Sequence, residues 1–80
     1  MVEYEYSVAE GRLVHVDMNK RTIIVQDEEG QEWEYILSEK VELSEDWIID
    51  HLGEMVKIIY KYEAGKYETG PWIVLKIEEV

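Results

Sequence analysis

The chain has 80 residues, of which 46% are apolar and 34% are charged. This composition supplies one small core and is too apolar for a disordered chain, so we expect a single globular domain over residues 1–80. The sequence contains no cysteine, which excludes disulfides, zinc ribbons, iron-sulfur ligation and thiol nucleophiles.

Acidic side chains dominate the charge. Nineteen Asp and Glu against eight Lys and Arg give a net charge of −11, and neither half of the chain is basic. The negative electrostatic field of such a protein repels nucleic acid phosphates and anionic lipid headgroups and favours cationic partners. The first residues have neither the basic segment nor the apolar stretch of a signal peptide, so we expect a cytoplasmic protein without a membrane partner.

The first half of the chain has the pattern of a three-stranded meander. Val8–Asp17 is the first predicted strand, and Gly11 near its start indicates a bulge or a sharp coil. Thr22–Gln26 is rich in β-branched residues and ends in a Gly-containing hairpin turn. Gln31–Leu37 then alternates glutamates with aromatic residues, which predicts a strand with one anionic and one aromatic face.

The second half begins with a helical signal. Ser44 is a good N-cap, the helix is predicted over Glu45–Leu52, and Gly53 supplies its stop. Period-two alternation then predicts a fourth strand over Met55–Tyr62 and a fifth over Trp72–Glu78. From these periodicities we expect a core that contains Val14, Val16, Ile23, Val25, Trp33, Tyr35, Ile48, Leu52, Val56, Ile58, Ile73 and Leu75.

This element order over Val8–Val80 resembles the oligonucleotide/oligosaccharide-binding (OB) fold, a five-stranded Greek-key barrel with a helix between its third and fourth strands. The stretch Gly11–Asp17, with the second β run and the Gly-ended turn after it, is similar to the opening of small bacterial and archaeal barrels of this kind, many of unassigned function. An SH3-like barrel is the structural alternative, although its short connections explain the helix less well. The OB resemblance implies a ligand site across the second and third strands, beside the loops Met18–Arg21 and Glu63–Pro71.

Two uses of that surface fit the residues. The first is a non-catalytic accessory module that binds a protein or another cationic partner through carboxylates and aromatic faces; its predicted site is Glu32, Trp33, Glu34, Tyr35, Tyr67 and Trp72. The second is single-stranded nucleic acid binding, in which the same aromatic residues stack on bases and the backbone is held by Lys20, Arg21 and Lys66. The net charge favours the first.

Nothing in the sequence indicates catalysis. The serines have no nucleophile context and the glycines form no phosphate cradle. Neither His15 and His51 nor the acidic run Asp27–Glu29 has a spacing that identifies a metal. We therefore expect no enzyme activity, no cofactor and no metal site, in a protein that is monomeric or weakly dimeric because its charge opposes pairing of strand edges.

Overall fold

A computed structural model describes all residues, Met1–Val80. It contains five strands and one helix: β1 (Tyr4–Asp17), β2 (Thr22–Gln26), β3 (Glu32–Leu37), α1 (Glu45–His51), β4 (Met55–Glu63) and β5 (Ile73–Glu79). The strands form one closed sheet in the order β1-β2-β3-β5-β4. All neighbouring strands are antiparallel except β3 and β5, which run parallel where Ile36 lies opposite Ile73 and Leu37 opposite Val74. The predicted mainly β architecture, with a helix between the third and fourth strands, is confirmed.

The first strand is longer than predicted. It begins at Tyr4 rather than Val8, and its N-terminal half pairs with β4 from Tyr4 opposite Glu63 to Arg12 opposite Met55. All other element ends lie within one residue of the prediction. Only one edge of this N-terminal half-strand is paired, because β2 pairs with β1 from Arg12 onward.

A β-bulge in β1 changes which residues enter the core. Leu13 lies opposite Val25 and His15 opposite Ile24, so Val14 is the extra residue. Leu13 is therefore fully buried, whereas Val14 is only half-buried. The prediction that Val14 belongs to the core was wrong because a bulge shifts the inward and outward alternation by one residue. Val16, beyond the bulge, packs against the core as predicted.

The fifth strand carries the same kind of irregularity. Ile59 lies opposite Lys76 and Tyr60 opposite Val74, which leaves Leu75 unpaired. Val74 is consequently buried in place of the predicted Ile73 and Leu75, both of which are partly exposed. The observed core consists of Leu13, Ile23, Val25, Tyr35, Leu37, Val41, Val56, Ile58, Tyr60 and Val74.

The helix begins as predicted but docks through a different face. The Ser44 side chain accepts a hydrogen bond from the Trp47 amide at 3.1 Å, and Gly53 beyond the helix has a φ of 89°. The predicted core residues Ile48 and Leu52 are half-buried and 49% exposed, respectively. Instead Trp47 packs on the core and stacks on the buried His51 with ring centroids 4.0 Å apart, because residues four apart share one helix face. With its seven residues α1 is too short to cross a bilayer, and the protein has no other helix.

Gly11 marks the point where β1 separates from β2. A Cβ at this position would lie 2.5 Å from the Gln26 carbonyl oxygen and 2.6 Å from Val25 Cγ1, so the two strands approach as closely as a glycine permits. From Arg12 onward β1 pairs with β2, whereas Tyr4–Gly11 pairs only with β4. The N-terminal half of β1 therefore has one free edge.

Candidate functional site

A cleft of about 410 Å³ lies between the free edge of β1 and the hairpin that joins β2 to β3, with the β4–β5 loop beside it. Its lining comes from every strand except β5, from the turn between β2 and β3, and from the loop that precedes β5. The lining residues are Ser7, Val8, Ala9, Glu10, Val25, Asp27, Trp33, Tyr35, Tyr60, Tyr67, Glu68 and Trp72.

The cleft runs along the edge of β1. Four consecutive residues, Ser7–Glu10, line it. Since successive side chains of a strand point to opposite faces of the sheet, four residues in a row can all border one cleft only where that cleft follows the strand edge. The cleft therefore exposes main-chain groups as well as side chains.

Aromatic rings form the floor and one side of the cleft. Tyr35 and Tyr60 are buried, with ring centroids 5.3 Å apart in an edge-to-face arrangement. Trp72 lies 6.0 Å from Tyr35 and 5.9 Å from Trp33, the latter at an interplanar angle of 83°. Trp33 was predicted both as a core residue and as a site residue; at 38% exposure it belongs to the side of the cleft and not to the core. Tyr67 continues the aromatic surface and is 55% exposed.

Hydrogen bonds fix both indoles. The Trp33 Nε1–H donates to Asp27 Oδ2 at 2.8 Å, and the Trp72 Nε1–H donates to the Tyr67 carbonyl at 2.7 Å. Asp27 is itself held, because its Oδ1 accepts the amides of Glu29 and Gln31, each at 2.9 Å. With their polar N–H groups already bonded, the indoles present ring faces and edges to the cleft.

The cleft is anionic. Three of its lining residues, Glu10, Asp27 and Glu68, carry carboxylates, and none is a lysine or arginine. The Trp33 indole, together with main-chain amides, lowers the pKa of Asp27, which keeps this carboxylate charged. Burial raises the pKa of Tyr35 to about 12 and also raises that of Tyr60, so the phenols on the floor stay neutral. At neutral pH the charge of the cleft therefore comes from its carboxylates alone.

The structure brings together the predicted aromatic residues but not the predicted carboxylates. Trp33, Tyr35, Tyr67 and Trp72 all line the cleft. The exposed Glu32 and Glu34 alternate with Trp33 and Tyr35 along β3, so their side chains lie on the opposite face of the sheet. The carboxylates in the cleft lining are instead those of Glu10, Asp27 and Glu68, which come from three other segments of the chain.

The three predicted basic residues do not form a groove. Lys20 and Arg21 lie in the β1–β2 turn, separated from Asp27 by the whole of β2, roughly 16 Å of extended strand. The Arg21 guanidinium donates to the carbonyls of Ser38, at 2.7 Å, and Val41, which joins this turn to the loop before α1. Lys66 pairs with Glu63 at 3.1 Å. None of the three lines the cleft.

Several cleft residues were missed by the sequence analysis. The alternation Tyr4-Glu5-Tyr6-Ser7-Val8 could have extended the first strand to include the edge residues. For Asp27 the signal is a carboxylate directly after a strand, which is typical of an Asx turn. Nothing local to Tyr60 or Glu68 indicates the cleft, because their role depends on which segments the closed sheet places side by side.

The histidines and acidic residues show no metal-binding geometry. No group of three or more His, Asp or Glu side chains is arranged to hold a metal ion. His51, one of the residues considered as a ligand, has both ring nitrogens engaged: Nδ1 bonds to the Trp47 carbonyl at 2.7 Å and Nε2 to Glu79 Oε1. This histidine thus joins α1 to the end of β5.

Comparisons with protein-family models, with curated proteins and with solved structures give no significant match for this chain. The chemistry of the cleft therefore carries the functional interpretation. Fixed aromatic rings, carboxylates without opposing cations and a free strand edge are features that bind cationic groups and extended chains.

Proposed function

We propose that this protein is a non-catalytic binding module of the OB-fold type, and that its cleft holds a cationic segment of a partner protein. The strand order, with β3 and β5 as the parallel pair, supports the OB-type assignment. The observation that carries the functional proposal is the lining of the cleft, in which aromatic rings lie beside three carboxylates and no basic residue.

A lysine or arginine side chain suits this lining in two ways. Its cationic head is attracted both to carboxylates and to aromatic faces, and a cation–π contact contributes about 0.5–2 kcal/mol, depending on how far it is desolvated. Its aliphatic stem can pack against the rings of Trp33 and Trp72. Because hydrogen bonds already hold these indoles, binding would cost little side-chain entropy.

The same lining disfavours the nucleic acid alternative. A phosphate in the cleft would face Glu10, Asp27 and Glu68 with no basic residue to neutralise it. Of the predicted phosphate contacts, Arg21 is engaged with main-chain carbonyls and Lys66 with Glu63. Aromatic platforms without a basic groove supply only half of what single-strand binding requires.

A peptide titration tests the proposal. The probe is a capped peptide of four Thr-Lys repeats, and binding is followed by the fluorescence of the indoles that line the cleft. We expect saturable binding to the wild type and a loss of roughly tenfold or more in affinity for the double variant Glu10→Gln/Glu68→Gln, which removes two cleft carboxylates. Asp27 is left unchanged because it also holds Trp33.

The matched control is Glu32→Gln/Glu34→Gln, which makes the same change in net charge on the other face of β3. This variant should bind within roughly threefold of the wild type, since exposed charges away from the ligand act weakly. Equal weakening by both double variants would contradict the proposal. So would saturable, salt-sensitive binding of a mixed-sequence single-stranded oligonucleotide, which would instead identify a nucleic acid binder.

A further inference from the structure

The free edge of β1 offers unpaired main-chain groups. Hydrogen bonds from the Ala64 amide to the Glu3 carbonyl and from the Leu13 amide to the Glu54 carbonyl show that odd-numbered residues of β1 bond towards β4. The register is continuous from Tyr4 to Arg12, so the even-numbered residues direct their N–H and C=O groups to the opposite edge. At Tyr6, Val8 and Glu10 no strand occupies that edge.

The side chains of this segment divide in the same way. Gly11 is buried and Ser7 and Ala9 are half-buried, so the odd-numbered residues face inward. Tyr6 and Val8 are 65% and 53% exposed and face outward, as does the exposed Glu10, which borders the cleft from the strand edge. In an antiparallel pair, directly opposite residues share a face of the sheet. A strand added at this edge would therefore direct the residues opposite Ser7 and Ala9 into the cleft.

We propose that the partner segment binds as an added antiparallel strand along Tyr6–Glu10, with basic residues at alternate positions that enter the aromatic, carboxylate-lined cleft. This inference rests on the proposed function of the cleft and adds the binding mode and the sequence pattern of the ligand. The antiparallel direction follows from β2, which pairs antiparallel with the same edge of β1 from Arg12 onward, so that the ligand continues an existing ladder.

The negative charge of the cleft favours a basic segment over a second copy of the chain at the free edge of β1. The inward positions of an added strand lie on the face that Asp27 and Glu68 line, and the protein carries a net charge of −11. A second copy of the chain would bring the same negative charge to this edge. A segment with alternating lysine or arginine brings the opposite charge, and about four residues of it match the length of edge that lines the cleft, Ser7–Glu10.

Backbone N-methylation separates this binding mode from side-chain recognition alone. In the added strand, the threonines of the Thr-Lys peptide lie opposite Val8 and Glu10 and direct their amides to β1, whereas the lysine amides point away. N-methylation of the threonines should lower affinity by roughly tenfold or more, because it removes two or three hydrogen bonds. N-methylation of the lysines, the matched control, should leave the affinity within roughly threefold of the unmodified peptide.

The outcomes distinguish the two proposals. If the unmodified peptide fails to bind, or binds regardless of Glu10 and Glu68, the proposed function itself fails. If it binds in a carboxylate-dependent way but both N-methylated peptides bind equally well, the added strand is refuted. A greater loss on lysine N-methylation refutes the antiparallel arrangement. Sedimentation of the protein without and with peptide completes the test. A dimer that dissociates when the peptide is added would show that a second copy of the chain occupies the free edge, and this result would overturn the inference.

Discussion

Gly11→Ala should destabilise the protein by steric contact alone. The added Cβ would lie 2.5 Å from the Gln26 carbonyl oxygen and 2.6 Å from Val25 Cγ1. The side chain of Val25 belongs to the packed core and Gln26 presents main chain, so neither can turn aside. The steric overlap can be removed only if β1 and β2 move apart at the point where they begin to pair, beside the cleft.

The size of the effect follows from this overlap. Carbon atoms prefer separations of about 3.5 Å or more, so the contact with Val25 Cγ1 falls short by roughly 1 Å, and the contact with the smaller carbonyl oxygen is also too close. Overpacking of this kind costs about 1–3 kcal/mol in unfolding free energy. For a domain of this size, 1 kcal/mol changes Tm by about 4–8 °C, so Gly11→Ala should lower Tm by about 10 °C.

Urea unfolding followed by tryptophan fluorescence measures this cost, and Gly30→Ala is the control. Gly30 has a φ of +87° and no atom within 4 Å of the added Cβ, so its substitution carries only the left-handed backbone penalty, about 1 kcal/mol. Gly11→Ala should cost more than this control. A Gly11→Ala protein with the wild-type urea midpoint would refute the close approach of β1 and β2.

Three further predictions test the core, the helix attachment and the floor of the cleft. Leu13→Ala should cost about 2–5 kcal/mol and Val14→Ala less than about 1.5 kcal/mol by urea unfolding, and equal costs would contradict the bulge. Hydrogen bonds to the Trp47 carbonyl, and then to Glu79, raise the pKa of His51 in the folded protein. Protonated His51 therefore stabilises the fold at pH values below the ordinary pKa of histidine, and this stabilisation is lost as the pH rises through the raised pKa. The difference in urea midpoint between wild type and Glu79→Gln should therefore be larger at about pH 5.5 than at about pH 9. A difference that does not change with pH would exclude the ion pair. In an alkaline absorbance titration Tyr35, with its pKa raised by burial to about 12, should ionise after the exposed tyrosines, and simultaneous ionisation of all six tyrosines would show that it is not buried.

The sequence by itself determined the number, order and type of the elements. The strand Thr22–Gln26, the Ser44 cap and the Gly53 stop were predictable because each depends on neighbours in the chain: β-branched side chains, a hydroxyl three residues before an amide, and a residue that tolerates positive φ. The aromatic character of the cleft was also predictable from the alternation of β3 and from Tyr67 and Trp72 in the loop before β5.

Periodicity also predicted correctly that Ile23, Val25, Tyr35, Val56 and Ile58 are buried, but only the tertiary structure decided where that alternation breaks and which distant groups meet. The bulges at Val14 and Leu75 each shift the inward and outward alternation by one residue within a strand. The helix docks through Trp47 and His51, and His51 bonds to Glu79, which lies 28 residues away in the chain. The cleft is lined by four strands, a turn and a loop. The free edge of β1 exists because the N-terminal half of β1 extends beyond the last residue of β2. Such features depend on contacts between residues distant in sequence, so local propensity and periodicity could not predict them.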